Sequence, residues 1–81
     1  MKITVTAVSK FRRYFPARTN EVEFPGGNLA GFLDWVKEEY GLDIDEHRNL
    51  KLTLNSVLVR DTGIELKEGD RVAFIPIVAG G

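Results

Sequence analysis

Polar and apolar residues alternate near both ends of the chain, and a helical stripe lies between them. Ile3, Val5 and Ala7 alternate with Thr4 and Thr6, which predicts a half-buried strand of β-branched residues. Asn20 to Phe24 predicts a second strand, with Val22 and Phe24 on one face and Glu21 and Glu23 on the other. The short connection between the two predicts an antiparallel hairpin. Leu29, Phe32, Leu33, Val36 and Tyr40 then recur at helical spacing. Asn28 stands at the N-cap position and Gly41 at the C′ position of that helix. Trp35 adjoins the stripe and is expected to be partly buried.

After an acidic connector, Leu42 to Arg48, the alternation returns. Leu50, Leu52 and Leu54 predict a third strand, Asn55-Ser56 a turn, and Val57 to Arg60 a short fourth strand. Asp61-Thr62-Gly63 and Lys67-Glu68-Gly69-Asp70 are further turns. The run Arg71 to Pro76 is the last strand, with Val72 and Phe74 facing inward. Two strands, one helix and then more strands describe an α+β layer, a small sheet with one main helix on one face. The uncovered face carries Ile75 and Leu58, candidates for a partner's surface.

Composition narrows the function. Eighty-one residues are expected to form one domain over positions 1–81, and a chain of that size buries only about 60% of its unfolded surface. The net charge of −1 argues against a nucleic-acid or membrane binder. Without cysteine there is neither a disulfide framework nor a thiolate metal site, which fits a reducing compartment. The alternating N-terminus matches neither a signal peptide nor a membrane span, so a cytoplasmic location is expected.

Candidate chemistry in the body is sparse. His47 lacks the partners of a nucleophilic triad and reads as a surface residue. Asp43, Asp45 and Glu46 lack the spacing of a calcium loop. Gly26-Gly27-Asn28 precedes a helix but carries no phosphate-loop signature, and reads as a strand-to-helix turn. Lys10, Arg12, Arg13 and Arg18 alternate with Phe11, Tyr14 and Phe15. The expected arrangement is apolar side chains packed beneath solvated cations, ahead of docking to an acidic partner or binding of single-stranded nucleic acid.

The end of the chain differs. Pro76-Ile77-Val78-Ala79 leads into Gly80 and Gly81, glycines that turn no corner and cap no helix. They provide a backbone narrow enough for a tight tunnel. A terminal carboxyl with a reference pKa of about 3.3–3.7 is ionised at neutral pH and is a poor electrophile until activated. From Ile77 to Gly81 the arm reaches at most about 17 Å. Such an arm is a substrate handle for another enzyme.

Three stretches carry a resemblance: Leu54-Asn55-Ser56-Val57-Leu58-Val59, Leu66-Lys67-Glu68-Gly69-Asp70-Arg71-Val72-Ala73-Phe74, and Pro76-Ile77-Val78-Ala79-Gly80-Gly81. Together they resemble the MoaD/ThiS sulfur carriers, which are ubiquitin-like β-grasp proteins. The resemblance implies a small mixed sheet with one helix and a flexible Gly-Gly tail. It implies a protein co-substrate rather than an enzyme. An ATP-dependent adenylating enzyme of the ubiquitin-activating type would activate the Gly81 carboxylate, and a persulfide would convert it to a thiocarboxylate. ATP and Mg would belong to that enzyme, with no cofactor or metal on this chain. A sulfur-accepting synthase, such as the molybdopterin synthase large subunit or thiazole synthase, would take the sulfur. Leu58 and Ile75 match positions on the family's partner-docking sheet surface, Arg12 a basic partner contact, and Pro76 to Ala79 the arm that partners grip.

The tail Ile75-Pro76-Ile77-Val78-Ala79 departs from the Pro-Pro usual before the last residues of MoaD-type chains, and Val78-Ala79-Gly80-Gly81 leans towards ThiS. The length, the basic loop and Val72-Ala73-Phe74 lean towards MoaD. The favoured expectation is sulfur supply for molybdenum or tungsten cofactor synthesis. The alternatives are thiamin thiazole synthesis, a ubiquitin-like protein modifier, and a plain interaction module.

Overall fold

A computed structural model describes residues 1–77. Five strands form one mixed sheet: β1 (Lys2–Ala7), β2 (Thr19–Glu23), β3 (Leu50–Leu54), β4 (Val57–Leu58) and β5 (Arg71–Pro76). Their order across the sheet is β2-β1-β5-β3-β4. The expected hairpin is present, with Lys2 opposite Glu23 and Thr6 opposite Thr19. The last strand enters the middle of the sheet, parallel to β1 and antiparallel to β3. The fourth strand is shorter than the pattern indicated, because only Val57 and Leu58 pair with β3.

Helix α1 (Leu29–Tyr40) covers one face. Asn28 caps it as its position indicated, its side-chain oxygen accepting from the Gly31 N–H at 2.9 Å. Gly41 ends it at φ 80°, where a Cβ would be strained. Leu29, Phe32, Leu33 and Val36 bury the predicted stripe against Ile3, Val5, Val22, Val72 and Phe74. The ring of Trp35 lies 5.6 Å from that of Phe24 and 5.8 Å from that of Phe32, sealing one end of the helix–sheet seam.

The two connectors bury more than their composition suggests. The basic loop contains a 3-10 helix, Ser9–Tyr14, whose Phe11 is fully buried and is followed by buried Phe15. Lys10, Arg12, Arg13 and Arg18 are exposed above them, the arrangement the alternation indicated. In the acidic connector, Leu42 is fully buried and a 3-10 turn spans Ile44–Glu46. His47, expected as a surface residue, is half-buried and makes contacts. Its ring meets Phe11 edge-on at 5.1 Å, and its Nε2 lies 3.4 Å from the Tyr14 hydroxyl, so it ties the two connectors together. No helix among the described residues is long and apolar enough to cross a membrane.

Candidate functional site

The two neighbours of β5 leave it at different points. Pairing with β1 ends at Ala7↔Phe74, where the Val8 N–H reaches the Phe74 carbonyl at 3.4 Å. Pro76 falls just beyond that point. Its missing N–H faces the side that β1 has vacated, so the ladder loses no bond there. On the other side β3 follows β5 to the end: Leu50 pairs with Pro76, and the Ile77 N–H donates to the Asn49 carbonyl at 2.7 Å. That bond is the last anchor among the described residues. Val78, Ala79, Gly80 and Gly81, named above as arm and reactive tip, lie outside the described residues.

Two motif stretches separated in sequence are bonded to each other in space. Asn55 and Ser56 form the β3–β4 turn with φ of 52° and 71°, the left-handed pair a tight hairpin turn needs. The Asn55 side chain accepts from the Arg71 N–H at 2.9 Å and donates to Asp70 Oδ1 at 3.0 Å. The other oxygen of Asp70 accepts from the Lys67 N–H at 2.8 Å. Gly69, at φ 85°, donates its N–H to the Lys2 carbonyl. The Gly-Asp pair and Asn55 therefore fix where β5 starts beside β1 and β3, and so where it ends.

The structure places the predicted contact residues at three positions around the tail root. Ile75 faces the open side of the sheet, in a hollow of about 390 Å³ with Thr6, Thr53, Arg71 and Ala73. Leu58, 49% exposed, lines a different concavity of about 290 Å³ along the outer edge of β3. Ile77 lines that same edge groove, together with Ile44, Leu50, Leu52 and Val59. Arg12 stands apart from both, beside Arg18 and Ser9 in a third hollow next to Val8. Leu58 and Ile75 share the uncovered face, as the pattern indicated, since Leu58 opposes Thr53, Thr53 opposes Ala73 and Lys51 opposes Ile75. Leu58 lies at its β4 edge and lines the groove there. The groove beneath Leu58 left no mark in the sequence, because it exists only where β4 stops short.

The remaining candidates offer no reacting group. The N–H groups that open α1 are already engaged: Leu29 donates to the Ile64 carbonyl, Ala30 to the Thr62 carbonyl and Gly31 to the Asn28 side chain. The Gly26-Gly27-Asn28 turn therefore has no free donors there for an anion, in keeping with a strand-to-helix turn. Asp43 accepts from the Asp45 N–H at 3.0 Å and lies 3.4 Å from Lys37 Nζ. These contacts, the backbone donor first, hold its carboxyl below the ordinary value of 3.8. Among the described residues, no three His, Asp or Glu side chains are grouped to hold a metal ion.

The fold and the sequence find counterparts in known proteins. The family model described as ThiS family matches residues 9–81. No curated protein sequence matches the chain. A putative molybdopterin converting factor subunit 1 from Pyrococcus furiosus superposes with a TM-score of 0.80 at 23% identity, over 96% of this chain and 99% of that one. SAMP1, a small archaeal modifier protein from Haloferax volcanii, superposes with a TM-score of 0.77 at 15% identity, over all of both chains. A chain from the complex of subunits 1 and 2 of molybdopterin-converting factor from Helicobacter pylori gives 0.70 at 21% identity, again over all of both chains. With five strands in a mixed sheet under one helix, a model match reaching Gly81 and these neighbours, the chain belongs to the ThiS family of ubiquitin-like β-grasp sulfur carriers.

Proposed function

We propose that this protein carries sulfur on the carboxyl group of Gly81 and delivers it for molybdopterin synthesis, as the small partner of a molybdopterin synthase. The observation carrying this reading is that the family match runs through Gly81, on a body whose last strand is anchored up to Ile77. A partner can then take hold of Pro76 to Ala79 while the folded domain stays outside its active site. The preference for molybdopterin rests on the converting-factor neighbours, which match nearly end to end.

The chemistry follows from the carboxylate. An adenylating enzyme of the ubiquitin-activating type, holding Mg and ATP itself, joins AMP to Gly81 and releases pyrophosphate. The terminal sulfur of a persulfide attacks the carbonyl carbon and AMP leaves. A thiol then cleaves the sulfur–sulfur bond and leaves the thiocarboxylate on Gly81. The chain contributes no catalytic side chain and binds no cofactor; it acts in the cytoplasm as a co-substrate. Gly80 and Gly81 keep the arm slim, because any Cβ widens it.

Incubation with the activating enzyme, ATP and a sulfur donor is expected to replace one oxygen by sulfur in the intact mass. An unchanged mass would overturn the carrier reading. Gly80→Val is expected to melt at the wild-type temperature yet lose thiocarboxylation by at least about tenfold, the cost of roughly 1.4 kcal/mol in the barrier. Normal thiocarboxylation of that variant would refute the narrow-channel requirement. The ThiS family match equally accommodates delivery to a thiazole synthase. The SAMP1 likeness favours a second role as a protein modifier, in which Gly81 is joined to lysines of other proteins. Branched peptides bearing the tail, sought by mass spectrometry, would establish it.

A further inference from the structure

The groove at the outer edge of β3 has three properties that together specify an occupant. The first is an unpaired strand edge. Val59 donates to the Leu52 carbonyl, so the backbone groups of Leu52 point outward from β5. Residues two apart along a strand point the same way, so those of Leu50 do too. β4 pairs only with Thr53 and Leu54, and among the described residues no backbone partner meets Leu50 on that side. The second is an apolar lining, which includes Leu50, Leu58 and Ile77. The third is the sign of its charge: the charged residues among the described lining are Lys51 and Arg60, both cations.

We propose that this groove seats an extended segment of the sulfur-accepting large subunit, carrying apolar side chains and at least one carboxylate. The segment lies along Leu50, exchanges backbone hydrogen bonds with it, packs on Leu58 and Ile77, and sets its carboxylate between Lys51 and Arg60. This is strand addition at a short, cationic edge. The proposal rests on the carrier reading above. Its location follows from continuity: Ile77 both lines the groove and begins the arm, so the protein that grips the arm meets this edge as it docks. The hollow around Ile75 offers no such edge, because β5 is paired on both sides, with β1 and with β3.

The test uses the full chain and the purified molybdopterin synthase large subunit of the same organism. Binding is measured by calorimetry, and amide exchange at Leu50 by NMR. Wild type is expected to bind, with affinity falling as salt rises, and the Leu50 amide to gain protection in the complex. The double variant Lys51→Glu, Arg60→Glu alters exposed side chains and should melt close to wild type. It is expected to bind about tenfold or more weakly, mainly through slower association. Undiminished binding by that variant, or an unprotected Leu50 amide in a complex that forms, would overturn the groove and leave the carrier reading intact. Thiocarboxylation without any binding of wild type to the large subunit would overturn the molybdopterin assignment and the groove with it. Protection of Leu50 in the free chain would also overturn the proposal. Loss of that protection on truncation after Ile77 would identify the chain's own tail as occupant, and its growth with concentration a second copy.

Discussion

Strand β5 presents two regions that answer different demands. Val72 and Phe74 lie under α1 and are 1% and 0% exposed, whereas Ala73 and Ile75, one residue away in each case, lie on the uncovered face. The buried side is dense with aromatic contacts; Phe15 stacks on Phe74 at 6.0 Å and meets Tyr40 at a tilt at 4.7 Å. The open side is built of Thr4, Thr6, Thr53 and Ala73, short side chains that let another surface approach the sheet. A domain this small has one core and cannot afford a second. Stability is therefore concentrated on the helix side, and the other side contributes little to the core.

Phe74→Ala is the strongest challenge to that division. It removes a fully buried ring from the centre of the core, and such truncations cost about 3–5 kcal/mol. With a total stability of about 5–15 kcal/mol expected for any domain, much of it is lost. Chemical denaturation should show the fall directly, and thiocarboxylation should decline only in step with the unfolded fraction. A loss of less than about 1 kcal/mol would mean that the core does not depend on this strand. Ile75→Ala, the adjacent residue, sharpens the comparison. It should change stability by less than about 1 kcal/mol, since the side chain is only partly covered. Its cost should appear as weaker binding of a partner protein in calorimetry. A larger loss of stability than of affinity would place Ile75 in the core and dissolve the contrast between the faces.

How far the sequence revealed these regions depended on whether the structure was periodic. The alternation in β1 and β5 and the stripe on α1 announced the buried side almost residue by residue, because burial on one face imposes a period. The burial of Leu42 and the packing of His47 were not predicted, since one apolar or aromatic residue in a polar connector has no period. Leu42 joins the core, and His47 meets Phe11 and Tyr14, only once the fold closes. The insertion of β5 between β1 and β3 was likewise hidden, being a pairing between residues some 67 positions apart, as in Thr4↔Arg71. The chemistry expected of Gly80 and Gly81 falls outside the described residues, and the bond that holds Ile77 to Asn49 left no sign in the sequence. The edge groove was illegible because it is an absence, the stretch of β3 that the two residues of β4 fail to cover.

The smallest expected effect lies at the rim of the buried side, where Asp43 follows Leu42 and closes the connector under α1. Its carboxylate accepts the Asp45 N–H and stands near the exposed Lys37, and both favour the ionised form. A carboxyl whose folded pKa lies below its unfolded value adds stability above the unfolded value, and that addition is lost as pH falls through the folded one. Asp43→Asn keeps an oxygen for the Asp45 N–H and removes the charge. The variant should melt slightly below wild type near neutral pH, and the gap should close as the pH drops beneath 3.8, where wild type becomes protonated too. Salt should shrink the part of the gap that comes from Lys37, whose side chain is 59% exposed, and spare the part that comes from the backbone donor. Melting curves at the two pH extremes, with and without added salt, read both components. A gap that persisted in acid would mean that the carboxylate's charge is irrelevant to this rim, and that the amide disturbs the connector for steric reasons instead.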